Sequence, residues 1–396
     1  MSLEFVRSKV FPFHPFLSFS LRLCVSAVIF FTVAAAQGLP VANPASVGMN
    51  AAKLEQIEPL VLADIKDKKL PGAVVVVGHK GRIVYRKAFG NRSLVPTVEK
   101  MTVDTIFDVA SLTKPVATAT SIMILVEQGK LRLNDTIGKF IPDIDDKDAK
   151  SVTIQQLLTH TSGYRPDFDL GEKWTGREGM LAALKKEKLR NPPGTRFVYS
   201  DIGFIVLGEV VSRLSIDLLV RENAHLGPFL YFTRRALFSG VGMNDTNFFD
   251  DSDLQRYQRK ILLTRIAPTE NIRGQNSYLG SKFEGDDSSG NEILRGAVHD
   301  PTSFRMGGVA GHAGLFSTAD DLARYCQMIL NGGAVLNAEL GTRNAESARN
   351  PQSAIRNPQS RRVLSSQTIA RMTQPYVVAE DGSTRGLGWD MGTSFS

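Results

Sequence analysis

The sequence predicts an α/β chain of the α+β type, with an antiparallel β-sheet flanked by helices and a mostly helical subdomain. The runs Ala73–Val77 and Ile83–Tyr85 are rich in β-branched residues and flank Lys80-Gly81, which predicts a β-hairpin. On both sides of it, apolar residues recur at helical spacing. We expect the sheet part to include residues from about 44 to 114 and 300 to 396, and the helical part residues 115 to 299.

The individual helices are predicted from apolar period and capping residues. Ala51–Ile65 and Ile154–Leu158 show the helical period, and so does Asp201–Leu214, for which Asp201 is a good N-cap. The run that begins at Ser317-Thr318 is expected to open a helix over 318–330 with a capping box, so that His312-Ala313-Gly314 forms a turn directly before it. Cys326 is then expected on the apolar face of that helix, in the core.

The first 36 residues have the pattern of a Sec-type signal peptide. Arg7, Lys9 and Arg22 precede the 14-residue apolar run Leu23–Ala36, which ends in three alanines. Cleavage after Ala36 is the prediction, and a retained anchor is the alternative, although 14 residues fall short of the roughly 20 that span a bilayer. We therefore expect an exported protein, periplasmic or secreted, that meets a membrane only if this segment is retained.

Charge and composition exclude several classes of protein. The net charge is +7, but the signal segment contributes +2 and residues 342–362 contribute +4, so the rest carries +1 and shows no basic face for nucleic acid. The six histidines lack zinc-ligand spacing, so we expect no metal or other cofactor, and His160 and His312 are interpreted as structural, hydrogen-bonded residues. The sequence contains no Gly-x-Ser-x-Gly elbow and no phosphate loop.

Ser111-Leu112-Thr113-Lys114 is the strongest chemical signal. It is the only place where a lysine follows a serine by three residues, and an apolar run and a helical pattern flank it. A serine hydroxyl needs a base within hydrogen-bond reach, and residues three apart on a helix share one face. Desolvation of Lys114 can keep its amine available as that base.

Tyr199 is the second candidate. It lies 88 positions after Ser111, follows a turn at 191–194 and a short extended run, and precedes the predicted helix at Asp201. Loops between a strand and a helix hold side chains over a cleft.

From Pro44 to Ser396 the chain resembles the serine β-lactamase and penicillin-binding-protein superfamily, especially the branch of class C β-lactamases, D-alanyl-D-alanine carboxypeptidases and esterases. Its Ser-x-x-Lys motif matches Ser111 and Lys114, and its Tyr-x-Asn motif matches Tyr199 with Asp201 in place of asparagine. Two longer stretches, at 157–163 and 311–318, are similar too. The resemblance implies a β-lactamase/transpeptidase-like fold and a serine hydrolase that forms an acyl-enzyme.

The family's third motif, Lys or His, a small residue and Gly, is not found where expected, after a segment like Gly386-Leu387-Gly388-Trp389. The sequence ends seven residues after Trp389, so we expect a C-terminal truncation. Losing the inner-strand donor of the oxyanion hole would leave the Ser111 backbone N–H, and removing one such donor costs about 10²–10³ in rate.

The expected substrate is a small or peptidoglycan-derived ester or amide: a β-lactam, a D-Ala-D-Ala peptide or a carboxylic ester. Lys114 would take the Ser111 proton, and Tyr199 would relay a proton to the leaving group or be the base itself. Asp201 would repel a substrate carboxylate or simply cap its helix. The alternative is a non-catalytic cell-wall-binding protein or an inactive fragment that keeps the fold. We expect a monomer.

Two stretches look inserted. Residues 270–295 are rich in Gly, Ser, Asn and Asp and predict a surface loop, while 342–362 contain a seven-residue repeat with few apolar residues and predict disorder.

Overall fold

The computed structural model describes residues 39–222, 226–249, 262–272, 293–335, 361–378 and 382–393. The predicted signal peptide over 1–36 lies outside the described residues. So does most of the predicted surface loop at 270–295 and of the predicted disordered insertion at 342–362. The described ends are strands: Glu270–Asn271 pairs with Ile293–Leu294, and Arg361–Arg362 pairs with Ala334–Val335, so the predictions of loop and disorder are wrong for these end residues.

The strands are β1 Gly72–His79, β2 Arg82–Ser93, β3 Glu99–Lys100, β4 Phe107–Asp108, β5 Asn247–Phe248, β6 Glu270–Asn271, β7 Ile293–Leu294, β8 Leu315–Ser317, β9 Ala334–Val335, β10 Arg361–Arg362, β11 Tyr376–Val377, β12 Thr384–Arg385 and β13 Asp390–Gly392. The α-helices are α1 Ala51–Glu55, α2 Ile57–Lys66, α3 Thr120–Glu127, α4 Ile137–Phe140, α5 Lys147–Ser151, α6 Ile154–Leu158, α7 Gly176–Lys186, α8 Asp201–Arg221, α9 Pro228–Phe232, α10 Ser239–Val241, α11 Pro301–Arg305, α12 Ala319–Leu330 and α13 Ser366–Thr373. Short 3₁₀-helices span Pro44–Val47 and Ala110–Leu112, and π-helical turns span Lys114–Ala119 and Thr233–Phe238.

The predicted hairpin is confirmed and is longer than expected. Strands β1 and β2 pair antiparallel, with Val75 opposite Lys87, and β3 extends the sheet along β2. Lys80 and Gly81 both have positive φ, as a two-residue hairpin turn requires. A small core of Leu54, Val84, Tyr85 and Phe89 joins this sheet to helices α1 and α2. All the described strand pairings within sheets are antiparallel, which agrees with the predicted fold class.

A second sheet positions the serine. Its order is β4-β8-β5, and β4 ends two residues before the 3₁₀ turn that begins at Ala110. The expectation that the turn at His312 runs directly into a helix is therefore wrong, because strand β8 intervenes and pairs with β4. Thr318 caps α12 as predicted, accepting the Asp321 N–H, but the Asp321 carboxylate bonds Asp245 and Thr246, so the capping box is incomplete.

The main core lies between the chain that follows Ser111 and helix α8. Ile122, Met123 and Leu125 of α3 and Phe204, Leu207 and Val210 of α8 are fully buried in it. Gly208 and Gly311 let the α8 backbone approach the Gly311–Gly314 turn, since a Cβ on Gly311 would lie 2.0 Å from the Phe204 carbonyl oxygen. Among the described residues, no helix combines the length and the apolar character needed to cross a bilayer.

The prediction for Cys326 is wrong. Its helix is amphipathic, but the buried face contains Arg324, Tyr325 and Met328, and Cys326 is exposed. The helical period was correct, whereas the orientation of the face depends on partners that lie far away in the sequence.

Candidate active site

Ser111 lies on the first turn after strand β4, and its side chain is exposed. The preceding Ala110 has φ +47°, in the left-handed region that a non-glycine residue rarely adopts and that often marks a functional site. Two side chains hold this backbone: Asp108 Oδ1 accepts the Ala110 N–H at 2.9 Å, and the Thr113 hydroxyl donates to the Ala110 carbonyl at 2.7 Å. The Ser111 hydroxyl is thus presented on a fixed, strained turn.

Lys114 follows on the same face. Its side chain is only 3% exposed, and Nζ lies 3.0 Å from Ser111 Oγ and 3.1 Å from the His312 carbonyl oxygen. A π-helical turn begins at Lys114 and ends at Ala119, with Pro115 in its first positions. The hydroxyls of Thr120 and Tyr325 both donate to the Pro115 carbonyl. The amine is therefore desolvated, as the sequence predicts.

Asp201 also reaches this lysine. Its Oδ1 lies 2.6 Å from Lys114 Nζ as an ion pair, without the alignment of a hydrogen bond. The interpretation of Asp201 as the N-cap of α8 is wrong: Ser200 is the cap, and its Oγ accepts the Gly203 N–H. Asp201 is thus the first residue of the helix, and its carboxylate is available for Lys114.

Tyr199 lies one residue before Ser200, in the connection between helices α7 and α8. The described residues of this connection contain no strand, so Tyr199 does not lie in a strand-to-helix loop as predicted. Its ring centroid is 4.9 Å from Lys114 Nζ, and His160 stacks on the ring at 4.5 Å. The Ser200 N–H donates to His160 Nδ1, and Val198 N–H donates to the His160 carbonyl, so His160 fixes the loop on both sides of Tyr199. Burial lowers the pKa of His160 well below its usual value, and the cations Arg385 and Lys114 act in the same direction, so the stacked ring is neutral.

The sequence matches the family description "Beta-lactamase" over residues 57–394, which is most of the chain. The chain belongs to this family. Its relatives in the β-lactamase family include the N-acetylmuramyl-L-alanine amidase of Bacillus subtilis (strain 168), 30% identical over 321 residues, which cover 75% of this chain and 67% of the relative. A protein of Escherichia coli (strain K12) named "Putative D-alanyl-D-alanine carboxypeptidase" is 29% identical over 318 residues, 75% of this chain and 68% of that protein.

A solved structure of this superfamily has the same fold. The octameric penicillin-binding protein homologue from Pyrococcus abyssi matches with a TM-score of 0.57 and 22% identity. The match covers 85% of this chain and 64% of that one, so this chain spans less than two thirds of it. The resemblance to the serine β-lactamase and penicillin-binding-protein superfamily and the predicted fold are confirmed, and the relatives' names are those of hydrolases.

In this β-lactamase family member the four predicted site residues, Ser111, Lys114, Tyr199 and Asp201, lie in one cluster around the Lys114 amine. The oxyanion role predicted for the Ser111 N–H fits its place in the first helical turn, where amides have no intrahelical acceptor. Within the described ranges, no group of His, Cys, Asp and Glu side chains could hold a metal ion.

Sequence reasoning missed the charged pair behind this cluster, His312 and Asp300. The His312 Nε2 lies 2.8 Å from Asp300 Oδ1, and its ring is fully buried. His312 is hydrogen-bonded, as predicted, but its partner was not identified. Asp300-Pro301 was the available signal, because an aspartate before a proline marks a helix start, here α11.

Proposed function

We propose that this chain is a serine hydrolase that acts through an acyl-enzyme on Ser111. The single observation that carries the proposal is the 3.0 Å contact between the buried Lys114 amine and the exposed Ser111 hydroxyl. One group is desolvated and the other is open to a substrate, which is the arrangement that a nucleophile and its base require.

Lys114 and Asp201 act together as the proton acceptor. An ammonium facing a carboxylate and a neutral amine facing a carboxylic acid contain the same number of protons. The two side chains are 2.6 Å apart as an ion pair, and we propose that they align into a hydrogen bond when substrate binds, so that the proton moves from Lys114 to Asp201. From the second form, Lys114 takes the Ser111 proton while Oγ bonds to the substrate carbonyl carbon. Asp201 thus has a role that the asparagine of the family motif could not perform.

Tyr199 then returns the proton to the leaving group. The support for this role is the position of its ring, whose centroid lies 4.9 Å from Lys114 Nζ. The phenol gives its proton to the leaving atom and takes one from Lys114, while the bond from carbonyl carbon to the leaving atom breaks. A water later hydrolyses the ester on Ser111, and in this proposal the Ser111 N–H stabilises the oxyanion during both steps.

Peptidoglycan-derived amides are the proposed substrates, with β-lactams and carboxylic esters as further candidates. This proposal takes support from the names of the amidase and carboxypeptidase relatives. Such a substrate requires export, and the N-terminal segment agrees with it. Expression of the full chain in a bacterial host, fractionation and N-terminal sequencing test the export: a periplasmic or secreted product that begins at Gln37 is expected, and an unprocessed cytoplasmic product would contradict it.

Intact-mass spectrometry during incubation with penicillin G, a D-Ala-D-Ala peptide and p-nitrophenyl acetate tests the chemistry. We expect an adduct of the acyl mass on the wild type and none on Ser111→Ala, while Ser151→Ala, at an exposed serine remote from Lys114, reacts normally.

An adduct that persists in Ser111→Ala would refute the nucleophile. Saturable binding of a muropeptide without any adduct, unchanged in Ser111→Ala, would instead favour the non-catalytic cell-wall-binding alternative.

A further inference from the structure

The turn Gly311–Gly314 contacts the catalytic chain through its carbonyl groups. Thr118 Oγ1 donates to the Gly311 carbonyl, and Lys114 Nζ donates to the His312 carbonyl at 3.1 Å. Within the described ranges, the Lys114 amine has two hydrogen-bond partners, Ser111 Oγ and the His312 carbonyl. The His312 backbone therefore helps to orient the amine, together with the Asp201 carboxylate 2.6 Å away.

The His312 side chain is fixed to a second element. Asp300 Oδ1 accepts the Ser303 N–H at 2.7 Å as the N-cap of α11 and also contacts His312 Nε2 at 2.8 Å. The neighbouring His299 N–H donates to Asp108 Oδ2 at 2.8 Å, and Asp108 Oδ1 holds Ala110. One dipeptide, His299-Asp300, thus connects to both sides of the nucleophile: to Ala110 before Ser111 and, through His312, to Lys114 after it.

Four charged groups face the imidazole: Asp300, Asp201, Asp167 and Lys114. Burial opposes a charge on the ring, but Asp300 outweighs it and raises the pKa of His312 above the usual 6.5. Burial likewise opposes ionisation of Asp300, but His312 holds its pKa well below the usual range. Each group therefore favours the charged form of the other, as an imidazolium facing a carboxylate.

We propose that His312 is a positioning residue for Lys114: ion-paired with Asp300, it holds its own carbonyl where the amine points at Ser111. This role rests on the proposed function of Ser111 and Lys114. It adds a residue that touches neither the substrate nor the reacting atoms but controls the direction of the base. When the imidazolium loses its proton, the pair with Asp300 weakens and the turn loosens.

The test compares His312→Gln, His312→Ala and the matched control His299→Gln. Glutamine can still donate to Asp300 but cannot become charged, and His299 has a similar contact, 2.9 Å from Nε2 to Glu270, on the far side of the dipeptide. The rate constant of acylation and the dissociation constant of the substrate are measured from pH 5 to 9, with the unfolding temperature as a check on folding.

We expect His312→Ala to lower the acylation rate constant about 10²-fold with an unchanged dissociation constant, because a displaced base loses its alignment. His312→Gln should retain part of the rate and lose the decline that we expect of the wild type as pH rises through the raised pKa of His312. His299→Gln keeps the backbone N–H that bonds Asp108, so this variant should behave like the wild type. Rates and pH profiles of both His312 variants equal to those of the wild type would overturn the proposal.

Imidazole ¹⁵N NMR provides a readout that does not require catalysis. The His312 resonance, assigned by its absence in His312→Gln, should titrate above the ordinary midpoint and should move down in Asp300→Asn. A His312 ring that titrates at or below 6.5 contradicts the proposal even if no adduct forms. A Ser111-independent adduct contradicts only the proposed function.

Discussion

Replacing Asp201 by asparagine tests the ion pair at the centre of the proposed site. The substitution keeps the shape of the side chain and the helix start, and removes one negative charge 2.6 Å from Lys114 Nζ. Ser200, which is the cap of α8, is untouched. The substitution therefore changes only the charge, and it leaves the almost fully buried Lys114 without its carboxylate partner.

The expected loss of stability is several kcal/mol. At 2.6 Å two unit charges attract by about 6 kcal/mol in an effective dielectric of about 20. Removing one member of a buried pair leaves the other uncompensated, which costs about 3–5 kcal/mol. Asp201 is 23% exposed, so water screens part of the interaction, and we expect a decrease near the lower end, about 3 kcal/mol, in the free energy of unfolding.

Urea unfolding of the two variants and the wild type at one pH measures this. Asp64→Asn is the matched control: its contact with Lys69 is 2.7 Å, but both side chains are exposed, so we expect a change under about 1 kcal/mol. If the two variants lose the same stability, the argument for a buried ion pair is wrong.

Three further outcomes follow from the surroundings of the site. Gly311→Ala should lower the free energy of unfolding by about 3 kcal/mol, because its Cβ would clash with the Phe204 carbonyl. The control is Gly78→Ala, whose Cβ meets only ordinary contacts and which should change that free energy by at most about 0.5 kcal/mol. Equal losses in urea unfolding would contradict the close approach of Gly311 to α8. Thr113→Val removes the hydroxyl that bonds both the Ala110 carbonyl and the Leu315 N–H, so it should lower the free energy of unfolding by about 1–3 kcal/mol and slow acylation. Thr113→Ser keeps the hydroxyl and should restore the stability and the acylation rate. A serine variant that acylates slowly would argue against a role for these hydrogen bonds. Burial raises the pKa of Asp321 to about 6, so the folded state binds a proton more tightly than the unfolded state does, and stability should fall as pH rises from about 4 to 6. Urea unfolding across this pH range should show the decline in the wild type and not in Asp321→Asn. A decline that persists in Asp321→Asn would mean that another group causes it.

Local patterns were sufficient for much of the fold. The hairpin at Lys80-Gly81, the helix at 154–158 and the helix predicted over 201–214, which the structure extends to 221, could be predicted because period, turn chemistry and capping act within a few residues. The proximity of Ser111 and Lys114 could also be predicted from local sequence, because a helical spacing of three residues brings both side chains together.

Long-range contacts were beyond that reasoning. Asp201 was interpreted as a cap because aspartate is a good capping residue, but Ser200 caps α8 and Asp201 faces Lys114, a residue far away in the sequence. The same holds for Asp300 and His312, which become partners when the start of α11 meets the Gly311–Gly314 turn. Ala110 carries no sequence signal for its positive φ, because side chains of Asp108 and Thr113 impose it.

The charged groups around Ser111 form two pairs, Lys114 with Asp201 and His312 with Asp300. The His312 carbonyl accepts a hydrogen bond from Lys114 and so connects the two pairs, and Asp167 accepts from the Thr302 hydroxyl at the start of α11. Each cation lies against a carboxylate, so a buried group that loses its partner must either give up its charge or destabilise the fold. The reaction proposed for Ser111 and Lys114 therefore depends on both pairs, because the Lys114 amine contacts Asp201 directly and His312 through its carbonyl.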